Sequence, residues 1–298
     1  MKRSVTGSVL MTVPLFVLVL STLSLWEPAH AFAAVQDTAS HFLDVKPSGG
    51  RQADAARKGH SSRLVYRGGP VITTMKVHAI FWEPKGSFVS PRYNSLLLRY
   101  FGDIGTSGLY HNNAQYRDAR GATPSQAQLA GSWVDTAAYP AQKLTDGQVQ
   151  TEIAHAMRAN RWSGGLNNVF FIFTARGENV CTSNNQCSFT SFCASHGAFG
   201  GNVVYATIPY AGTNLSACGV PFSPNGDIDA ESAINVSSHE QMEAATDPLI
   251  NAWIDASGAE IGDKCAWDLG GVSVLNGHSY LIQKEWDNAA NNCVLAGP

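Results

Sequence analysis

The chain has 298 residues, a formal net charge of -3 and 14% charged residues. That balance supplies neither a basic stripe nor an acidic tail, so no nucleic-acid partner is expected. The length is enough for one α/β unit with a sizeable core and does not require two domains.

Met1-Lys2-Arg3, the mostly apolar run from Val9 to Trp26 and Ala29-His30-Ala31 read as a charged start, an apolar segment and a small-x-small cleavage site. They predict a signal peptide over residues 1–31 and a secreted product. Pro14 and the Ala-x-Ala ending argue against an uncleaved anchor. No later apolar run reaches about 18 residues, so no membrane partner is expected after cleavage. Residues 32–67 are polar and lack a sustained period, which predicts a flexible leader or propeptide outside the core. Residues 68–298 then form one domain.

Lys76 to Trp82 predicts a strand closed by Glu83-Pro84. Ser90-Pro91 predicts a helix start, with Tyr93, Leu96, Leu97, Tyr100, Phe101 and Ile104 on one face. A second helix is expected over Thr145–Asn160, then strands over Asn167–Thr174 and Gly201–Pro209. Asn276-Gly277 reads as a turn before a last strand, Ser279–Trp286. The order implies a layered α/β (α+β) fold with a mixed sheet. The six cysteines, Cys181, Cys187, Cys193, Cys218, Cys265 and Cys293, fall in the C-terminal half of an exported chain and so predict disulfides. Sequence leaves the connectivity open; Cys265 with Cys293 is the expected pair, the other four stapling the loop after Arg176. A thiolate zinc site is the rival reading, but it lacks a C-x-x-C pair.

From Asp227 to Pro248 an acidic start and a proline stop enclose a helix of about five turns. On it His239 and Glu243, four residues apart, lie about 6 Å from each other at Cβ and can reach one cation. Glu240 sits about 100° around, placed to take a proton from water that the cation activates. The pair leaves the coordination sphere open. Asp263 is the first choice for a third ligand and Glu260 the alternative, while Asp247, four residues beyond Glu243, would orient a ligand from behind. Zinc suits the set, and its oxygen-rich character also suits manganese or calcium. His196 is a further catalytic candidate, as a ligand or as a group that polarises the carbonyl.

Gly68-Gly69-Pro70-Val71, Cys193-x-x-His196-Gly197, Thr246-Asp247-Pro248-x-x-Asn251-Ala252-Trp253, Glu260-Ile261-Gly262-Asp263-Lys264-Cys265 and the closing Tyr280-Leu281 to Cys293 resemble the EXORDIUM-like, phosphate-induced family. The resemblance runs from about Gly68 to Cys293 and implies secreted, cysteine-stapled cell-wall proteins. Against the plant pattern, this chain has His239, Glu240, Glu243 and Asp263 together, and so looks like a microbial branch with a zincin-like H-E-x-x-E site. The expectation is a secreted zinc metallopeptidase acting on a peptide or protein substrate. The alternative is a noncatalytic extracellular protein of the EXORDIUM-like type, its partner a cell-wall glycan held on Trp82, Trp133, Trp162 and Trp253.

Overall fold

Val77, Ala79 and Phe81 alternate with Ile80 and Trp82 along one strand, and both sets are buried, in two separate apolar clusters. A strand that is apolar on both faces belongs in the middle of a sheet covered on both sides. In the computed structural model, which describes residues 1–2, 40–46, 62–182 and 184–297, this strand is inside a six-stranded mixed sheet. The strands are β1 (Ser40–Asp44), β2 (Thr74–Trp82), β3 (Gln126–Asp135), β4 (Asn168–Thr174), β5 (Phe192–Phe199) and β6 (Val203–Ile208). Their order across the sheet is β1-β5-β6-β4-β2-β3. Neighbours from β6 to β3 run parallel, while β5 is antiparallel to both β6 and β1.

Helix α1 (Tyr93–Asp103) and helix α3 (Ile228–Thr246) share one cluster with Val77, Ala79 and Phe81; α2 (Asp146–Asn160) shares the other with Ile80 and Trp82. The result is a layered α+β arrangement with α3 against the sheet. Thr145 caps α2 by accepting from Gln148 N, and the Gln148 side chain returns the bond to Thr145 N. The N-cap of α3 is Asp227, which accepts from Ala230 N.

The structure differs from the sequence expectation in four places. Residues 40–44, placed in the leader, form the sheet's outermost described strand, with Leu43 fully buried. Strand β1 also occupies hydrogen-bonding groups along β5 that an open edge would leave to solvent. The remainder of the expected leader up to residue 61, and the expected signal peptide beyond residue 2, lie outside the described residues. Strands β3 and β5 were not anticipated: β3 mixes polar and apolar residues and is exposed or half-exposed along most of its length, and β5 lies in the cysteine-rich stretch. Helix α1 begins at Tyr93 without a side-chain cap, because the Ser90 hydroxyl donates to Asp227 instead.

Fourth, the expected last strand is two short ones, His278–Tyr280 and Glu285–Asp287. Between them the backbone is taken by α3: Leu281 N donates to Glu231 Oε1 and Gln283 N to Asn235 Oδ1. The Asn276-Gly277 turn is present, with positive φ at both residues, and joins Ser273–Leu275 to His278–Tyr280. Three disulfides form, Cys181–Cys187, Cys193–Cys218 and Cys265–Cys293, the last as expected. No helix among the described residues is long and apolar enough to cross a membrane.

Candidate metal centre

Helix α3 is buried along nearly its whole length, made possible by the many alanines and serines that let neighbours approach. Its polar side chains are consequently forced to find partners inside the protein. On its last two turns His239, Glu240 and Glu243 are all fully buried. His196 projects from β5 towards them, and the segment around Glu260 and Asp263 closes over the helix.

Glu243 is the hub. Its Oε1 lies 3.0 Å from His239 Nε2 and accepts from Asp263 N at 3.1 Å. Its Oε2 lies 3.5 Å from His196 Nδ1 and 3.6 Å from His41 Nδ1. Asp263 Oδ1 is 3.7 Å from His239 Nε2, and Asp263 Oδ2 is 3.3 Å from His41 Nε2. Glu260 Oε2 is 2.9 Å from His41 Nδ1 and 3.7 Å from His196 Nε2. Donor atoms of His41, Glu243, Glu260 and Asp263 all come within 4.8 Å of one another, as do those of His196, Glu240 and Glu243. A tetrahedral cation with bonds of about 2.0–2.2 Å separates its ligand atoms by roughly 3.3–3.6 Å; the histidine–carboxylate pairs here span 2.9–3.7 Å around that spacing.

The expected site residues are therefore brought together in one buried cluster. His196 Nδ1 meets Glu240 Oε2 at 3.1 Å, leaving His196 Nε2 buried and without a hydrogen-bond partner, 3.7 Å from Glu260 Oε2. A carboxylate that fixes one ring nitrogen while the other points at a cluster of donors is how ligand histidines are oriented. His239 is held otherwise. The Gln283 amide donates to Gly262 O and to His239 Nδ1, each at 3.0 Å, and its carbonyl faces Trp267 N. In the neutral ring Nδ1 of His239 is then the acceptor and Nε2, facing Glu243, carries the proton. Asp247 Oδ1 accepts from Asn251 N and Ala252 N and so fixes the chain leaving α3, and the same carboxylate interacts with Glu260.

The close approach of the Glu260–Asp263 segment depends on Gly262, where a Cβ would meet His239 Nδ1 at 2.6 Å and Glu243 Oε1 at 3.0 Å. The segment is tied by Glu260 N to Asp263 Oδ2, by Trp286 N to Ile261 O and by the Cys265–Cys293 bridge. Two members of the cluster were not anticipated. His41 stands in a stretch with no readable period, and Glu285, both of whose oxygens are buried without a hydrogen-bond partner, stands between Lys284 and Trp286 in the stretch read only as a last strand.

Electrostatics follow from this crowding. Burial disfavours charge on His239, yet Glu243 and its neighbours raise it to about 10; His41 and His196 are likewise pushed up by Glu260 and the α3 carboxylates against the effect of burial. Burial raises Glu260 to about 8 and Asp263 to about 7, and raises Glu240 and Glu285 as well. Burial opposes ionisation of Glu243 too, but the histidines hold it well below the usual range. Unpartnered buried oxygens remain on Glu240, Glu243 and Glu260. Such a set is costly in the absence of a compensating positive charge.

The four tryptophans do not form one face. Trp82, Trp133 and Trp162 pack on the α2 side of the sheet, and Trp253 packs in the other cluster, against Tyr66 and Tyr116.

The fold and site together define a disulfide-stapled α+β protein with a mixed sheet and a buried histidine–carboxylate cluster. Protein EXORDIUM-like 3 of Arabidopsis thaliana is 27% identical over 296 residues, covering 80% of this chain and 86% of its own length. Protein EXORDIUM-like 5 of the same plant is 26% identical over 241 residues, covering 69% of this chain and 65% of its own length. Over most of its length the chain is thus similar to EXORDIUM-like proteins. No protein-family model matches it, and no solved structure does.

Proposed function

We propose that this chain is a secreted protein that binds a divalent cation, zinc first and manganese or calcium as alternatives, and uses it in zincin-like hydrolysis of peptide bonds. The observation that carries the reading is a set of buried donor atoms without hydrogen-bond partners: His41 Nδ1 lies 3.6 Å from Glu243 Oε2 and 2.9 Å from Glu260 Oε2, and His196 Nε2 lies 3.7 Å from Glu260 Oε2. Glu243, Glu260 and Asp263 supply oxygens, and His196 and His41 supply nitrogens. The cation would provide Lewis acidity at a carbonyl oxygen. Glu240 holds His196 through Oε2 and keeps Oε1 as a proton acceptor. Three disulfides suit an oxidising, extracellular setting.

A second reading, a noncatalytic extracellular binding protein with a structural cation, is favoured by one observation: the cluster is closed. The side chains of Glu240, Glu243, Glu260, His196 and His239 are at 0% exposure, and only His41 at 22% and Asp263 at 18% reach solvent. The two readings separate in one assay. Hydrolysis of a denatured general protein substrate should stop on chelation, return with zinc and fall at least about 100-fold in Glu240→Gln. A cation that stays bound without any hydrolysis selects the binding protein. Hydrolysis indifferent to chelator or to Glu240→Gln contradicts the metal mechanism.

A further inference from the structure

The seat of β1 is built entirely by later parts of the chain. Along one side β5 pairs with it in antiparallel register, Ser40 opposite Gly197, His41 opposite His196 and Phe42 opposite Ser195. At its far end Val45 N donates to Ser191 O and Lys46 N to Ala217 O, and Trp267 Nε1 donates to Asp44 O. Its side chains are read individually. His41 enters the cation cluster at Glu260 and Glu243, Leu43 is fully buried in the core, and the Lys46 ammonium donates to the carbonyls of Leu215 and Gly219. Main-chain pairing along an edge with pockets for particular side chains is how sheets bind extended peptides. The strand also lies over the side on which the cluster meets solvent, since His41 and Asp263 are its two members with exposed side-chain surface.

We infer that residues 40–46 are a self-bound ligand occupying a groove for extended peptides along β5. The partner this groove accepts in place of β1 is an extended peptide with a donor side chain at the cation cluster, an aliphatic residue two places on and a lysine five places on. The inference rests on the cation site proposed above and names its substrate class. With β1 in place His41 fills a position at the cation, and the donors behind it are shut off. Exchange of β1 for a second peptide opens them.

The test uses the full chain and a fluorescent peptide, Ser-His-Phe-Leu-Asp-Val-Lys, copied from residues 40–46, titrated to millimolar concentration with cation content measured in parallel. A variant with His41→Ala and Leu43→Ala weakens the resident strand. A second, Phe42→Cys with Ser195→Cys, locks it to β5 by an added disulfide between paired positions. The weakened variant should bind the peptide at least ten-fold more tightly than wild type, and the locked variant should not bind it. Near-ultraviolet circular dichroism checks the fold of each. If the alanine pair fails to fold, wild type against the locked variant decides, with binding by wild type alone supporting the inference. Equal binding by locked and wild-type chains, or binding by neither, overturns it. Bound cation with peptide affinity indifferent to the strand defeats this inference and leaves the metal reading standing. Strand-dependent affinity in a chain without cation does the reverse.

Discussion

His196 on β5 and Glu240 on α3 meet at 3.1 Å, Nδ1 to Oε2, with both side chains fully buried. The contact fixes which ring nitrogen of His196 faces the cluster. Groups that orient a ligand from behind typically contribute 10–100-fold in metal affinity. Glu240→Gln, whose amide can present either a donor or an acceptor to Nδ1, is expected to weaken cation binding by about that factor while leaving the fold intact. Chelator competition monitored with a zinc dye reads the affinity, and circular dichroism reads the fold. Unchanged affinity would show that Glu240 does not orient His196.

Gly262→Ala should disturb the same cluster from the other side. A methyl group there falls 2.6 Å from His239 Nδ1, so the Glu260–Asp263 segment must retreat from α3. The expected cost is about 1–3 kcal/mol in denaturant unfolding, with a loss of bound cation, because Glu260 and Asp263 move together. An alanine variant with wild-type stability and cation content would mean that the segment does not hold the site.

The Cys265–Cys293 bridge anchors that segment to the C-terminal strand, closing a separation of 28 residues. Replacing both cysteines by serine should lower stability by about 3–4 kcal/mol on chain-entropy grounds. It should also weaken the cation more than removal of Cys181–Cys187, which closes a separation of 6 residues in the stretch after Arg176. Comparing unfolding midpoints and cation affinities of the two double variants checks both parts.

How much of this was readable in the sequence depends on the range of each interaction. The helix, the H-E-x-x-E spacing and the acidic segment near Cys265 are local patterns, and they do lead to residues that meet in space. The assignment of roles within the cluster is not local. The spacing of His239 and Glu243 says nothing of Gln283, 44 residues further on, whose amide sets the His239 proton. His41 is invisible for a related reason: β1 has no apolar period because only Leu43 is buried, Ser40 to Phe42 being half-exposed and Asp44 exposed, and its pairing with β5 is a long-range choice. The predicted strand at 279–286 failed because Glu231 and Asn235 of α3 take backbone donors from its middle.

A pH effect arises away from the centre. Glu152 on α2 lies beside Asp135 at the end of β3, with His155 Nδ1 3.5 Å from both carboxylates. Burial, then the Asp135 carboxyl, raises Glu152 from its ordinary 4.5 to about 8. A carboxyl raised by folding contributes stability that is complete below its unfolded value and is lost as pH rises through the folded one. The wild type should therefore lose this contribution between pH 4.5 and about 8. Glu152→Gln removes the titration, so its melting temperature should gain on the wild type across that interval and hold a constant difference above it. A difference that does not change with pH would contradict the raised carboxyl.

Elemental analysis of the full chain beside Glu243→Gln tests whether the cluster around Glu243 holds a divalent cation. After incubation with zinc, manganese and calcium in turn and removal of the excess, the wild type should retain close to one equivalent of one ion. The variant, which loses the carboxylate shared by His239, His196 and His41, should retain less than about a tenth of that. No retained ion in the wild type, or equal retention in both proteins, would rule out a cation site at Glu243.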